Sequence, residues 1–297
     1  MFKSMKTFVL LAALSGLLLF VGSMFDSAGS NTFLTMALVI ALVMNVGSYW
    51  FSDKLAIKMA RAQPAGEAEY PWYHQMVGEL AMRAQMPMPR LYISPSPQPN
   101  AFATGRNPEH AAVCVNQGLI DLLEKDEMAG VLAHELSHVG NRDILIGSVA
   151  ATIATAITFL ARMGFWFGGG GRDREGGAVG QIAMIFLAPV AAMLIQFAVT
   201  RSRETQADAS GAELSGKPLA LASALQKLES GGRQLARRGV GGTPAEMPNN
   251  AFSSLYISAP FGGLGRAGMS SLFRTHPKTE DRVARLEAIA RKMGQIA

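Results

Sequence analysis

The sequence predicts a mainly α-helical, multi-span membrane protein with a folded domain outside the bilayer that contains a small β-sheet. Three observations lead to this fold class. The chain of 297 residues is 49% hydrophobic and only 16% charged, whereas soluble domains carry about 25% charged residues. It contains four apolar runs, each close to the roughly 18–20 residues that cross hydrocarbon as a helix. The other segments show the short apolar runs of strands and the charged faces of amphipathic helices.

The first two apolar runs, at about 8–25 and 33–51, predict a transmembrane hairpin that occupies residues 1–53. Lysines lie before and after this hairpin, whereas the turn between its helices contains no lysine or arginine. Because basic residues are enriched on the cytoplasmic side, we expect both ends of the hairpin, including the amino terminus, in the cytoplasm. A cleaved signal peptide is the alternative for the first run, but a second apolar run follows almost at once. The basic residues beside the apolar runs suit juxtamembrane anchoring. They are Lys3, Lys6, Lys54, Lys58, Arg61, Arg201 and Arg203.

Residues 54–143 are expected to form the first part of a cytoplasmic domain. An amphipathic helix at 70–85 ends before two prolines. Proline, glycine and asparagine then separate three strand candidates, at 90–94, 100–105 and 111–116. The stretch 125–141 predicts a helix, and the acidic residues in its first turn suit the positive end of the helix dipole.

The third and fourth apolar runs, at about 144–167 and 182–200, predict a second transmembrane hairpin. Small and polar residues in the first of them would allow close helix packing in a bilayer. A helical hairpin buried inside the folded domain is the alternative, and the apolar length of the runs favours membrane insertion. Residues 201–297 would then return to the cytoplasm as the second part of the domain. A helix at 219–229 is expected to end there in a glycine- and arginine-rich loop, 230–242, whose role the sequence leaves open.

The most informative stretch is His134-Glu135-Leu136-Ser137-His138. On a helix, the two histidines lie four residues apart on one face, so both imidazoles can reach a single Zn²⁺ ion. Glu135 is left beside the ion as a candidate general base. The alternative is a buried helix with two incidental histidines. The motif predicts one zinc ion per chain.

A catalytic zinc site needs a third protein ligand. One large class uses a histidine six residues after the second one, but that position is Ile144. The other common solution is a glutamate on a later helix, which Glu204 fits. Asp208 shares a helix face with Glu204 and would accept a hydrogen bond from the far nitrogen of His134. An ordinary solvated acidic pair is the alternative. Two predicted membrane crossings separate His138 from Glu204, so both would lie on the same side.

Taken together, the two hairpins, the paired histidines and the segment from Arg201 to Asp208 resemble the HtpX family of bacterial membrane zinc metalloproteases. This family is related more distantly to the CAAX prenyl proteases. Two further segments match its patterns: Asn100–Gly105, and Thr275-His276-Pro277 followed by Arg282. The resemblance implies a gluzincin fold with its active site on the cytoplasmic side of the inner membrane. It also implies proteolytic quality control under stress, in which misfolded or damaged membrane proteins are cleaved without ATP hydrolysis.

The resemblance also assigns roles within the site. Zinc held by His134, His138 and Glu204 would activate a water molecule, and Glu135 would transfer its proton. By motif match, His276 is the candidate donor to the oxyanion, with a helix-capping histidine before Pro277 as the alternative. The segment with Asn100, Ala101, Phe102 and Ala103 is expected to be an edge strand that pairs with extended substrate backbone. An ordinary edge strand is the alternative there.

Composition limits the remaining functions. The single cysteine, Cys114, excludes an intrachain disulfide framework and is expected in the core. The expected partners are the lipid bilayer and unfolded membrane proteins. We expect no nucleotide, because there is no phosphate-binding loop, and no nucleic acid, because there is no basic patch with interleaved aromatic residues. Two alternatives stay open: a dedicated processing peptidase of the CAAX type, and a non-enzymatic membrane scaffold with a structural zinc.

Overall fold

The computed structural model describes residues 2–25, 32–167, 177–237 and 277–296. In chain order the helices are α1 (Phe2–Phe25), α2 (Thr32–Trp50), α3 (Ser52–Met59), α4 (Pro71–Arg83), α5 (Gln117–Leu122), α6 (Lys125–Gly140), α7 (Asp143–Phe167), α8 (Gly177–Ser215), α9 (Pro218–Arg237) and α10 (Thr279–Lys292). The strands are β1 (Gln63–Pro64), β2 (Arg90–Ser94), β3 (Ala101–Thr104) and β4 (Ala112–Asn116). The chain divides into two compact units. The helical unit comprises Met1–Tyr49 with Leu145–Ser202, and the mixed unit comprises Trp50–Ile144 with Arg203–Ala297.

The helical unit has an interior of alanines and a few larger apolar side chains, and it exposes other large apolar side chains. Its buried core is rich in alanines, which let helix backbones approach closely. Among the described residues, one helical segment, Asp143–Ala161, has the length and mean hydropathy of 2.1 expected of a membrane span. Two shorter apolar helical segments are Val9–Val21 and Leu34–Val43. The most exposed large apolar side chains of the unit include Leu19, Phe20, Val43, Phe186 and Leu187.

The mixed unit is built on a four-stranded sheet of order β1-β2-β4-β3. Strands β2 and β4 are parallel, and β1 and β3 flank them as antiparallel neighbours. The three strands predicted from sequence are present, with ends that differ by a residue or two at most. The two-residue β1 was not predicted, because so short a strand leaves no alternating pattern. Strand β3 lies at an edge of the sheet, as predicted for this segment.

The sheet is covered on both faces, which explains why every β3 side chain is buried. Because side chains alternate along a strand, Ala101 and Ala103 of β3 face the main core with helices α4 and α6. Phe102 and Cys114 face the other way and pack against Ala56 of α3. Burial raises the pKa of the Cys114 thiol to about 12, so this cysteine is a core residue.

Helix α6 begins at a capping box and is buried along most of its length. The Glu124 side chain accepts the backbone N–H of Glu127, and the Glu127 side chain accepts that of Glu124 at 2.9 Å. Farther along, a Cβ atom at Gly130 would lie 3.0–3.1 Å from Leu221 at the start of α9. The glycine therefore permits close contact between α6 and α9.

Helix α9 is longer than the sequence predicts. We expected a helix at 219–229 followed by a loop at 230–242, but the helix continues to Arg237. Glycines are poor helix formers, yet tertiary packing overrides propensity, and Gly231 lies against Leu122 and Pro99. The rest of the predicted loop lies outside the described residues. Helix α10 packs against α9 and buries Leu286 and Ala290.

Candidate metal centre

The donor atoms of three predicted ligands converge in the mixed unit. His134 and His138 lie on α6, and Glu204 lies on α8. One ligand atom from each falls within 4.8 Å of the other two. The two Nε2 atoms are 3.1 Å apart, and Glu204 oxygens lie 3.4 Å from His138 Nε2 and 3.8 Å from His134 Nε2. Two ligands at zinc-binding distances around a tetrahedral ion are about 3.4 Å apart, so this set fits such an ion.

Each histidine has a carboxylate behind it. His134 Nδ1 lies 3.1 Å from Asp208 Oδ1, without the alignment of a good hydrogen bond. His138 Nδ1 lies 2.7 Å from Asp143 Oδ2, in a hydrogen bond. A proton held at Nδ1 leaves the lone pair of Nε2 available. The two Nε2 atoms, 3.1 Å apart, then both offer a lone pair, as a pair of metal ligands does.

The charges around these donor atoms also favour the binding of a cation. Four largely buried carboxylates surround the donor atoms, and two buried guanidinium groups accompany these carboxylates. With all four carboxylates ionised, the described residues of the site carry two negative charges in excess, which a divalent ion would neutralise. Buried charges need such compensation. The carboxylates belong to Glu135, Asp143, Glu204 and Asp208, and the guanidinium groups belong to Arg203 and Arg282.

Glu135 connects the site to the edge strand. Its Oε2 atom accepts a hydrogen bond of 2.8 Å from the backbone N–H of Ala103. Burial raises the pKa of Glu135 to about 7, and the negative charge of Glu204 adds to the effect. A divalent cation beside the carboxylate would act in the opposite direction. Glu135 is thus a buried carboxyl group beside the donor cluster, held at one oxygen by a backbone donor and free at the other to transfer a proton.

Asp208, the most buried carboxylate of the site, is paired with an arginine. Arg282 of α10 donates to Asp208 from Nε at 2.9 Å and from Nη2 at 2.6 Å. Its Nη1 atom lies 3.7 Å from Glu204 Oε2. Burial alone would raise the pKa of Asp208, but the charge of Arg282 and the neighbouring His134 outweigh it and hold the pKa well below its usual range. Burial also lowers the pKa of His134, which favours the neutral form that binds metals.

Close helix packing brings the two halves of the site together. A Cβ atom at Gly211 of α8 would lie 2.8 Å from both the Cα and the backbone N of His134. Only a glycine allows α8 to approach α6 this closely. Asp208 and Glu204, one turn and two turns before Gly211 on α8, therefore reach the histidines.

Two residues of the site were not singled out as such from the sequence. Asp143 follows His138 by five residues, and the only signal was an acidic residue at the start of an apolar helix. Arg203 was predicted as one of several juxtamembrane basic residues, but the structure buries it and pairs it with Asp143. The interpretation of Arg203 as an exposed anchor was therefore wrong. A positive charge beside an apolar run can equally be the partner of a buried carboxylate.

The remaining predicted site residues have the following places. Asn100 is buried directly before β3, and its carbonyl accepts the N–H of Asn116 at 2.9 Å. Ala101, Phe102 and Ala103 lie within β3. His276 lies outside the described residues.

Among the other histidines, two make local contacts away from the donor cluster. His74 Nε2 lies 2.8 Å from the Ala65 carbonyl, and His110 Nδ1 lies 2.7 Å from Asn107 Oδ1.

Paired histidines on one helix, a glutamate on another and a carboxyl group tied to a neighbouring edge strand define the class of metal-dependent peptidases. Known proteins agree with this assignment. The family model for peptidase family M48 matches residues 67–290. The chain therefore belongs to peptidase family M48, and it is a metalloprotease.

Curated relatives match over nearly the whole chain. A protease HtpX homolog of Persephonella marina is 48% identical over 297 residues and 99% of each chain. A protease HtpX homolog of Syntrophobacter fumaroxidans is 47% identical over 96% of this chain and 98% of its own. A third, from Burkholderia mallei, is 47% identical over 98% of each chain.

A solved structure shares the fold. The crystal structure of S. mikatae Ste24p matches with a TM-score of 0.57 and 19% sequence identity. The match covers 95% of this chain and 65% of the Ste24p chain. At this identity the likeness concerns the fold: a mainly helical protein with a small mixed sheet.

Proposed function

We propose that this metalloprotease is a zinc endopeptidase of the bacterial cytoplasmic membrane that cleaves misfolded or damaged membrane proteins. The observation that carries the proposal is the convergence of His134, His138 and Glu204 beside a Glu135 side chain tied to an edge strand. A structural zinc site would have no use for a base at that position. The His138 side chain is 17% exposed, so the donor cluster is not sealed from solvent.

Peptide hydrolysis would follow from the positions of these groups. When bound, zinc would polarise the scissile carbonyl and lower the pKa of a water molecule. Glu135 would take a proton from that water as the water oxygen bonds to the carbonyl carbon. Glu135 would then deliver the proton to the leaving nitrogen as the C–N bond breaks. The Ala103 N–H fixes one oxygen of Glu135 and leaves the other for this transfer. His276 is our candidate donor to the oxygen that becomes negative.

The edge strand is suited to bind substrate without regard to side-chain sequence. The Asn100 carbonyl pairs with the N–H of Asn116, and Ala101 is opposite Val115 in the register. In an antiparallel ladder, hydrogen-bonded and non-hydrogen-bonded pairs alternate. The backbone groups of Ala101 and Ala103 therefore point away from β4. The Ala103 N–H is taken by Glu135, whereas the N–H and carbonyl of Ala101 and the carbonyl of Ala103 are directed towards a strand that has yet to be added. An extended, unfolded substrate would supply that strand.

Membrane insertion by α1, α2, α7 and the first part of α8 is part of the proposal. The alanine-rich interior and the exposed large apolar side chains of the helical unit support it, because such an outer surface is suited to lipid. The lysines flanking the first hairpin support cytoplasmic ends. An even number of crossings would put both parts of the metal centre on one side.

The test compares the membrane proteomes of cells that make either wild-type protein or the Glu135→Gln variant. We expect fragments of many unrelated membrane proteins with the wild type and their intact forms with the variant, at equal zinc content. A single affected protein would contradict quality control and favour a processing peptidase. Equal proteomes, with zinc bound to both proteins, would contradict the assigned role of Glu135.

A further inference from the structure

We infer that Asp143 is a positioning residue for the metal ligand His138, and that Arg203 holds Asp143 in place. Asp143, Arg203 and their contacts form a group that we call the α7 clasp. The inference rests on the proposed metal centre and extends it to residues with no assigned role.

The contact between Asp143 and His138 is short and largely shielded from water. Asp143 Oδ2 lies 2.7 Å from His138 Nδ1, and the two side chains are 8% and 17% exposed. A carboxylate in this position fixes the imidazole in the tautomer with its proton on Nδ1. The Nε2 atom, which lies among the other donor atoms, then keeps its lone pair for the metal.

Arg203 holds the carboxylate by several contacts at once. Its guanidinium group is paired with the other oxygen of Asp143. It also donates to the Asn141 carbonyl at 3.1 Å and to Gln206 Oε1 at 3.0 Å. Gln206 in turn donates to Asn141 Oδ1 at 3.2 Å. A planar guanidinium group with several fixed partners has little freedom to move, so Asp143 is held firmly against His138.

The backbone between α6 and α7 is shaped for the same contact. Arg142 has a φ of 55°, in the left-handed region that residues other than glycine seldom adopt. Such conformations persist where the surrounding structure fixes them. This turn ends α6, presents the Asn141 carbonyl to Arg203 and places Asp143 next to His138, one position after the strained residue.

The arrangement repeats on the other side of the site. His134 has Asp208 behind it and Arg282 behind Asp208. His138 has Asp143 behind it and Arg203 behind Asp143. Each histidine is therefore the first member of a His–Asp–Arg series. Because Arg203 directly precedes Glu204, the α7 clasp also ties the third ligand to the second.

The experiment measures zinc affinity of the full-length protein in detergent by competition with a chromophoric chelator. For Asp143→Ala we expect affinity to fall about 10- to 100-fold, as for other residues that orient metal ligands. Asp143→Asn is nearly isosteric, and its zinc affinity should fall less, because its amide oxygen can still accept a hydrogen bond from His138 Nδ1. Arg203→Lys keeps the charge but loses the fork of hydrogen bonds, and it should weaken zinc binding several-fold.

The matched control is Asp53→Asn. Asp53 forms a 2.7 Å ion pair with Arg90 in the same unit, so the variant also loses an ion pair but should keep wild-type zinc affinity. The absorption spectrum of the Co²⁺-substituted protein gives a second readout, since it reports ligand geometry. We expect it to change in the Asp143 variants and not in the control.

The outcomes separate the two proposals. A wild-type protein that binds no zinc would contradict the proposed function. Suppose instead that the wild type binds one zinc tightly and that folded Asp143→Ala and Arg203→Lys variants have equal affinity and an unchanged cobalt spectrum. That result would overturn the role of the clasp alone.

Discussion

Each side chain of the proposed metal centre has its orientation fixed by a neighbour. The two histidines lie against aspartates, and Glu135 accepts a backbone N–H from β3. Preorganisation of this kind matters because metal and transition-state geometries tolerate little displacement. Two predictions at the level of single residues test whether these contacts act as described.

The first prediction concerns the N–H of Ala103. Proline lacks this donor and is tolerated on edge strands where the N–H points away from the ladder. Ala103→Pro should therefore keep the zinc but lower kcat/KM for an unfolded protein by at least about 10-fold. A hydrogen bond to a charged group is lost, and the proline ring would displace the Glu135 carboxylate from the place of the N–H. Ala103→Gly keeps the N–H and serves as the control. A proline variant with undiminished kcat/KM would show that this donor has no part in catalysis.

The second prediction concerns the closest approach of α8 to α6. In Gly211→Ala the added methyl group would meet the backbone of His134 at 2.8 Å. Relief of such overpacking costs about 1–3 kcal/mol and would draw Glu204 and Asp208 away from the histidines. Chemical unfolding should show a lower free energy of unfolding, and a competition titration should show a lower zinc affinity.

Gly78→Ala is the matched control for that variant, since nothing lies within 4 Å of a Cβ atom at Gly78 in α4. Removal of the flexible glycine there should stabilise the protein by about 0.5–1 kcal/mol. If Gly211→Ala behaves like Gly78→Ala, the close helix contact is not what aligns the site.

At the level of secondary-structure elements, side-chain contacts hold both ends of α6 in place. Its last turn carries His138, and its first turn is joined to α9 through Glu127. The Glu127 carboxylate accepts from Ser223 Oγ at 2.6 Å and from Lys227 Nζ at 2.8 Å. Burial opposes the ionisation of Glu127, but these donors outweigh it and lower its pKa below the ordinary value of 4.5.

This pKa gives a pH-dependent prediction. A group with a lowered pKa in the folded state contributes stability that is complete above its unfolded-state pKa and is lost as the pH falls through its folded-state pKa. Glu127→Gln should therefore destabilise the mixed unit by about 1–2 kcal/mol at pH 7. The difference in unfolding free energy between variant and wild type should shrink below about pH 4.5. A difference that stays constant down to pH 3 would contradict the role of ionised Glu127.

Most elements could be predicted because their signals are local. The apolar runs of β2 to β4, the acidic first turn of α6 and the spacing of His134 and His138 are each contained in one short segment. Glu204 could be predicted because a zinc site lacks a ligand without it. The pairing of Asp143 with Arg203 could not be predicted from the sequence, since it depends on a turn at Arg142 and on the packing of α8. The extension of α9 was likewise decided by tertiary contacts of Gly231.

At the level of the whole molecule, the proposed function requires that the second hairpin cross the membrane and return to the cytoplasmic side. Reporter fusions test this directly. A fluorescent protein fused after Ala297 should fold and fluoresce, and alkaline phosphatase inserted at 168–171, between the third and fourth apolar runs, should be active, as the positive-inside rule implies. An inactive phosphatase at this position, with a fluorescent carboxyl-terminal fusion, would show that the hairpin does not cross.

The central claim is that one zinc ion is held by two histidines and one glutamate with a position left open for water. X-ray absorption at the zinc edge of the purified full-length protein measures this most directly. We expect one zinc per chain, with only nitrogen and oxygen ligands at about 2.0–2.2 Å and two imidazoles among them. We also expect the Glu204→Ala variant to lose the ion. A sulfur ligand, a third imidazole, or full zinc content in Glu204→Ala would contradict it.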